Sequence, residues 1–233
     1  MTTTSAGKAR LSAQQLGVVR HVGGPLLVVA GPGSGKTRVL TERVRELLIS
    51  APGHFRVLAL TFANRAADEM RERLADLGSQ RQRAFIGTLH GFCLEVLAER
   101  GKPVGVEGTP HIFEHFKDRQ ELLRKAISED PFLQNEINEI PDPKERGNQI
   151  NKWLLMISRI KSHPITCSII EDDVSRRVLD AYDAELRACN AYDFDDLLLL
   201  TYRLLTENPK LAGFYHRLYK FVCVDEAHDL NDA

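Results

Sequence analysis

The chain has 233 residues, with 31 Lys+Arg against 32 Asp+Glu and a net charge of -1. That balance excludes a polybasic, histone-like binder and an acidic-tail protein, while 43% AVILMFWYC and 27% charged residues is ordinary globular composition. No apolar run approaches the roughly 20 residues that cross a bilayer, Met1–Arg10 lacks the apolar stretch of a secretory leader, and Cys93, Cys167, Cys189 and Cys223 lie far apart with no CxxC, as expected in a reducing cytoplasm.

The first element in chain order is a polar stretch, Leu11-Ser-Ala-Gln-Gln15, that opens a helix with Ser12 as N-cap. Gln15 offers an amide that can read an adenine edge as donor and acceptor. Pro25-Leu-Leu-Val-Val-Ala30 is a continuous apolar run ending in glycines and is expected to be a buried parallel strand. Ala30-Gly31-Pro32-Gly33-Ser34-Gly35-Lys36-Thr37 has the spacing of a phosphate-binding P-loop, with Ala30 in place of the first glycine. Its glycines let successive N–H groups curl around phosphate oxygens, and the helix that follows adds its positive N-terminal end. In that reading Lys36 meets the terminal phosphates and Thr37 ligates magnesium, so the expected cofactors are ATP and Mg2+.

Val39, Leu40, Val44, Leu47 and Leu48 recur at helical spacing. A strand over 57–61, a helix over 64–77, a strand over 85–87 and a helix over 89–100 follow. This alternation is the signature of a parallel α/β sheet. Phe62 and Arg65 fall at the carboxyl end of the second strand, where α/β proteins bind ligands. Phe62 reads either as core packing or as a stacking platform for a base. His90, in Gly87-Thr-Leu-His-Gly91, holds the corresponding place after the third strand, and a lone His of this kind is also a common structural residue.

From about 103 to 190 the pattern shows helices and turns and no strand. Helices are expected over 120–127, 150–160, 178–186 and 197–205, punctuated by Pro131, Pro141, Pro143 and Pro164. His111-Ile-Phe-Glu114-His115 matches the spacing of inverted zinc peptidases, but no distant acidic ligand is fixed and the stretch reads as an exposed helix start. The chain returns to a clear buried strand at Phe221-Val-Cys-Val224, ending in Asp225-Glu226. Two acids at a strand tip read as a loop cap or, paired with a P-loop, as a magnesium-holding carboxylate (Asp225) and a general base (Glu226).

The segments together resemble the N-terminal half of a superfamily 1 DNA helicase of the UvrD/Rep/PcrA group. Leu11–Gln15 is similar to the family's Q motif, and 30–37 with Arg38-Val-Leu to its first motif. Residues 61–70 resemble TFTNKAAxEM, with Ala63 and Arg65 as departures, and residues 87–92 resemble GTFHG. Residues 193–197 are similar to DFDDL, and 224–231 to VDEAQDLN, with His228 where the family has glutamine. The resemblance implies a RecA-like P-loop NTPase sheet over 1–103 and 192–233, an all-helical insertion over 104–191, and adenine contact by Gln15. It also implies nucleotide contact by Ala30 through Arg38, catalysis by Lys36, Asp225 and Glu226, metal ligation by Thr37 and Asp225, and DNA contact by Phe62, Asn64, Arg65 and His90. It further implies ATP-driven 3′ to 5′ movement on DNA, with a second RecA-like domain C-terminal to this chain. Without that domain the chain is expected to bind nucleotide, hydrolyse it poorly and not unwind. A DEAH-type RNA helicase or another P-loop ATPase, and a non-catalytic nucleotide-gated DNA-binding module, are the alternatives.

The near-zero charge is uneven along the chain. Residues 1–102 have 15 Lys+Arg against 8 Asp+Glu, a surplus of +7, and residues 103–233 have 16 against 24, a deficit of -8. The first half is either basic by chance or faces a polyanion.

Overall fold

The computed structural model describes residues 10–113, 115–162 and 172–227. The described residues pack as two compact units, 10–89 with 213–227, and residues from 90 to 212. The chain thus leaves the first unit after residue 89 and re-enters it at residue 213.

In the first unit, α1 (Ala13–Val19) begins with a capping box in which Ser12 accepts from the Gln15 backbone and the Gln15 side chain accepts from the Ser12 N–H. α2 (Lys36–Ser50) starts at Gly35, whose φ of 83° is a left-handed conformation suited to glycine. β1 (Arg56–Leu60), β2 (Ala84–Gly87) and β5 (Tyr219–Val224) form a parallel sheet in the order β2-β1-β5. β1 is central and its Val57–Leu60 are buried on both faces, which explains the unbroken apolar run. α3 (Asn64–Arg73) packs Ala67 and Met70 with Val44, Leu47 and Leu48 of α2 against Val57 and Ala59. It ends sooner than the periodicity implies, and two 3-10 turns over Ala75–Arg83, broken at Gly78 (φ 54°), lead into β2.

The expected first strand is not formed. Residues 25–30 have no regular secondary structure and pair with no strand among the described residues, and Leu27 and Val29 are 81% and 89% exposed. An apolar run specifies a strand only where an adjacent strand accepts its hydrogen bonds and other elements cover its faces. β5, an edge strand here, is hydrogen-bonded on its β1 side, and its Val222 points outward at 59% exposure.

The second unit has α4 (Leu89–Arg100), α5 (Phe116–Glu129), α6 (Pro131–Asn138), α7 (Pro143–Lys161), α8 (Asp173–Ala188) and α9 (Phe194–Glu207). α10 (Pro209–Leu218) spans the border back to the first unit. Asp130, Asp142, Asp172 and Asp193 cap α6, α7, α8 and α9 through side-chain oxygens, and the prolines at 131 and 143 sit at the first helical position, where a missing N–H costs nothing. Leu123, Leu133, Leu154, Ile157, Val178 and Tyr182 form the core.

The insertion is not all-helical. β3 (His111–Phe113) pairs in parallel with β4 (Ala191–Asp193). Each has three residues, too few for a period-2 pattern to register. His111 therefore lies in a strand, its ring edge-on to Phe113 at 5.2 Å, and not at a helix start. Glu114 lies outside the described residues.

Candidate functional site

The P-loop residues Ala30 to Gly35 form the turn before α2, with Gly33 (φ 73°) and Gly35 in left-handed conformations. Two contacts tie this turn to the carboxyl edge of the sheet, and two more hold the turn itself. The Thr37 hydroxyl donates to Asp225 Oδ2 at 2.8 Å across 188 positions of sequence. Lys36 Nζ lies 3.4 Å from Glu226 Oε1 and donates to the Ala30 carbonyl at 3.3 Å. Gln15 Nε2 donates to the Ser34 carbonyl at 3.1 Å, so the same amide caps α1 and steadies the turn. Arg38 follows on the first turn of α2, half-buried.

Asp225 continues the ladder, its N–H donating to the Leu60 carbonyl at 2.8 Å. Glu226 then takes a φ of 48°, a left-handed conformation that a non-glycine residue adopts at a cost of about 1–3 kcal/mol. That turn brings its carboxylate back toward Lys36. The arrangement is a charge pair that phosphate oxygens would compete for. The Thr37 and Asp225 oxygens suit a hard cation that keeps water and phosphate as its other ligands. Among the described residues no three His, Cys, Asp or Glu side chains cluster as a metal cage.

Phe62 is 69% exposed just past β1, so core packing is not its role. Asn64 and Arg65 are exposed on the first turn of α3 beside it. His90 belongs to the second unit, where its ring packs edge-on to Phe194 at 4.9 Å. Burial holds its pKa below the ordinary histidine range, against the opposing charge of Asp195, so the ring is neutral at neutral pH. His228 lies outside the described residues.

The thiols of Cys93, buried, and Cys223, half-buried, are each pushed up to about 11 by desolvation. They are protonated at neutral pH and are not nucleophiles.

The second unit contains a buried ionic cluster that sequence reasoning missed. Lys161, 1% exposed at the end of α7, lies 2.6 Å from Asp196, 2.8 Å from Asp183 and 3.4 Å from Asp193. Arg119 of α5 lies 3.3 Å from Asp193 and 3.6 Å from Asp195, and donates to the Tyr182 hydroxyl at 3.0 Å. The Tyr182 hydroxyl donates in turn to Asp193 at 3.1 Å. Burial pushes the Asp196 carboxyl up to about 7 despite Lys161, whereas Asp193, equally buried, is held below the carboxylate range by Lys161 and Arg119. The legible signal was Lys161 itself. It extends the apolar stripe Ile150, Trp153, Leu154, Ile157 by one more helical step.

The family model for the UvrD/REP helicase N-terminal domain matches residues 11–233. The chain is 37% identical over 231 residues to the ATP-dependent DNA helicase UvrD1 of Mycobacterium tuberculosis, which covers 96% of this chain and 29% of that protein. It is 32% identical over 223 residues to the ATP-dependent DNA helicase PcrA of Leuconostoc citreum, covering 94% and 29%. With PcrA of Staphylococcus aureus the figures are 30% over 232 residues, 96% and 30%. The chain thus spans under a third of the length of the curated relatives it matches. No helix among the described residues is long and apolar enough to cross a membrane.

Proposed function

Given that this chain belongs to the UvrD/REP helicase N-terminal domain family, we propose that it is the ATP-binding part of a cytoplasmic ATP-dependent DNA helicase or translocase moving 3′ to 5′. The observation behind this reading is the meeting of Thr37 with Asp225 and of Lys36 with Glu226 at one end of a parallel sheet. Four groups scattered over 190 positions converge where a triphosphate needs a cation, a magnesium ligand pair and a base.

In this reading the fold is a RecA-like core, 1–103 and 192–233, with the insertion 104–191. The N–H groups of residues 31–37 bind phosphate and Gln15 lies against the adenine. Lys36 leaves Glu226 for the terminal phosphate, and Glu226 then accepts a proton from the attacking water. Thr37 and Asp225 would hold magnesium, which would offset phosphate charge. Phe62 stacks on a base of single-stranded DNA, with Asn64, Arg65 and His90 as further contacts. His90, being neutral, serves by hydrogen bonding rather than by charge. Unwinding needs a second RecA-like domain C-terminal to this chain, and the 233 residues alone bind nucleotide and turn it over slowly. Steady-state phosphate release by the chain is therefore expected to be low and little changed by single-stranded DNA. Vigorous DNA-stimulated turnover refutes the division of labour, and stimulation by RNA instead of DNA refutes the substrate class.

Phe62→Ala is expected to weaken binding of an oligo-dT strand by about 1–3 kcal/mol at fixed salt, the size of one lost base stack. Fluorescence anisotropy measures this, and an unchanged affinity removes Phe62 from the DNA site. Since Phe62 is exposed, the substitution leaves the core intact.

A further inference from the structure

The positive surplus of residues 1–102 has a place in the fold. Residues 47–67, 77–94 and 208–224 contain no Asp or Glu, and these three segments contain β1, β2 and β5. Because all three strands are parallel, their N-terminal ends lie on one edge of the sheet, opposite the P-loop edge.

The register makes this specific. Val57 pairs with Ala84 on one side and with Phe221 on the other. The residue before each of these is a cation: Arg56, Arg83 and Lys220. The β5 ladder is irregular at this point, with Arg56 paired to Tyr219 and Val57 to Phe221, so Lys220 is the extra residue of a bulge. Bulges re-aim side chains, and Lys220 is exposed. Neighbouring strands lie about 4.8 Å apart, so the row is about 10 Å long, the span of roughly three phosphates on one strand.

The cations rest on aromatic rings. Arg83 lies 4.3 Å from the Phe55 ring centroid, Arg56 5.5 Å from Tyr219 and Lys220 5.6 Å from Phe221. Tyr215 stacks on Tyr219 with planes 7° apart. Arg81 and Arg217 are exposed in the segments that lead into β2 and β5. No carboxylate among the described residues is within ion-pair distance of any of these five cations. At this end Glu46 accepts from Ser50, and Asp76 pairs with Arg45.

We propose that this N-terminal edge of the first unit's sheet is a second nucleic-acid surface, gripping the phosphate backbone without reading sequence. It is separate from the P-loop edge, where Phe62, Asn64 and Arg65 sit. The choice of DNA over another polyanion rests on the proposed function, whereas the surface itself rests on topology and charge.

The test is binding of an oligo-dT strand by the complete 233-residue chain across a salt series. The variant is the triple substitution Arg81→Gln, Arg217→Gln and Lys220→Gln, all at exposed positions. The slope of log affinity against log salt is expected to flatten by about 2, since each phosphate of a single strand that is no longer neutralised removes about 0.7. A control triple in the second unit, Lys117→Gln, Arg124→Gln and Lys152→Gln, removes the same net charge and is expected to leave the slope unchanged. An unaltered slope in the first triple, or equal flattening in both, overturns the proposal. So does polyglutamate competing with the strand as well as DNA does, since the partner is then an acidic polypeptide. Phe62→Ala separates the two ideas: loss of affinity there beside an unaltered slope in the triple leaves the helicase reading standing and this surface refuted. A wild-type chain that binds no DNA refutes both.

Discussion

Replacing Lys36 by alanine is expected to reduce binding of a nucleoside triphosphate at least a hundredfold while the chain stays folded. The ammonium is the one strong positive charge within the P-loop turn, and hydrogen bonds to charged groups are worth about 1.5–3 kcal/mol each. Loss of two such bonds to phosphate accounts for the effect, since about 1.4 kcal/mol is a factor of ten. The folded state loses little. Lys36 is 28% exposed, its partner Glu226 is 37% exposed, and pairs of that kind contribute at most about 1 kcal/mol. A thermal midpoint shift of about 2–4 °C is the expected ceiling. Isothermal titration with a non-hydrolysable ATP analogue measures the affinity, and wild-type binding by the variant refutes the P-loop assignment. Glu226→Gln supplies the contrast. It removes the competing carboxylate and the base together, so nucleotide binding is retained or strengthened while turnover falls.

Lys161→Met is expected to destabilise the second unit by about 3–5 kcal/mol, the cost of removing one partner from a buried ion pair. That is a large share of the roughly 5–15 kcal/mol that holds a domain together. Methionine fills the space of the lysine stem but leaves Asp193 and Asp196 with one cation fewer in a site that water does not reach. The single tryptophan, Trp153, is buried in the second unit's core, so its fluorescence during urea unfolding reports on that unit alone. The pH dependence has a defined sign. Burial already raises the Asp196 carboxyl to about 7 in the folded chain, and without Lys161 it rises further. A raised acid favours the folded state when protonated, so stability from this group is present at low pH and lost as pH climbs through the folded pKa. The deficit of Lys161→Met relative to wild type therefore shrinks from pH 8 to pH 5, and Asp196→Asn added to it restores part of the loss at pH 8. A variant as stable as wild type at pH 8 shows that the cluster is not an energetic element.

Elements long enough to repeat their period were legible in the sequence. α2, α4, α5, α7, α8 and α9 all form where apolar residues recur at helical spacing, with ends that shift where Asp-Pro or Asp caps start the helix earlier than the first apolar residue. α6 and α10, of 8 and 10 residues, and the three-residue strands β3 and β4 left no such trace. Pro25–Ala30 shows the opposite failure. Its composition is that of a buried strand, yet burial is a property of neighbours, and in the described structure Leu27 and Val29 face outward.

The sequence by itself determined the chemistry on offer: a glycine turn that only a few backbone conformations can satisfy, a lysine and threonine at fixed positions after it, and two acids at a strand tip. These are local facts, set by spacing and by the φ values glycine allows. Tertiary structure alone decided which distant groups meet. Thr37 reaches Asp225 across 188 residues, Lys161 gathers acids from α8 and α9, and three acid-free segments align their cations at one edge because parallel strands share a direction. Contacts of that range depend on strand order and register, which arise from the packing of whole elements and leave no mark in the spacing of neighbouring residues.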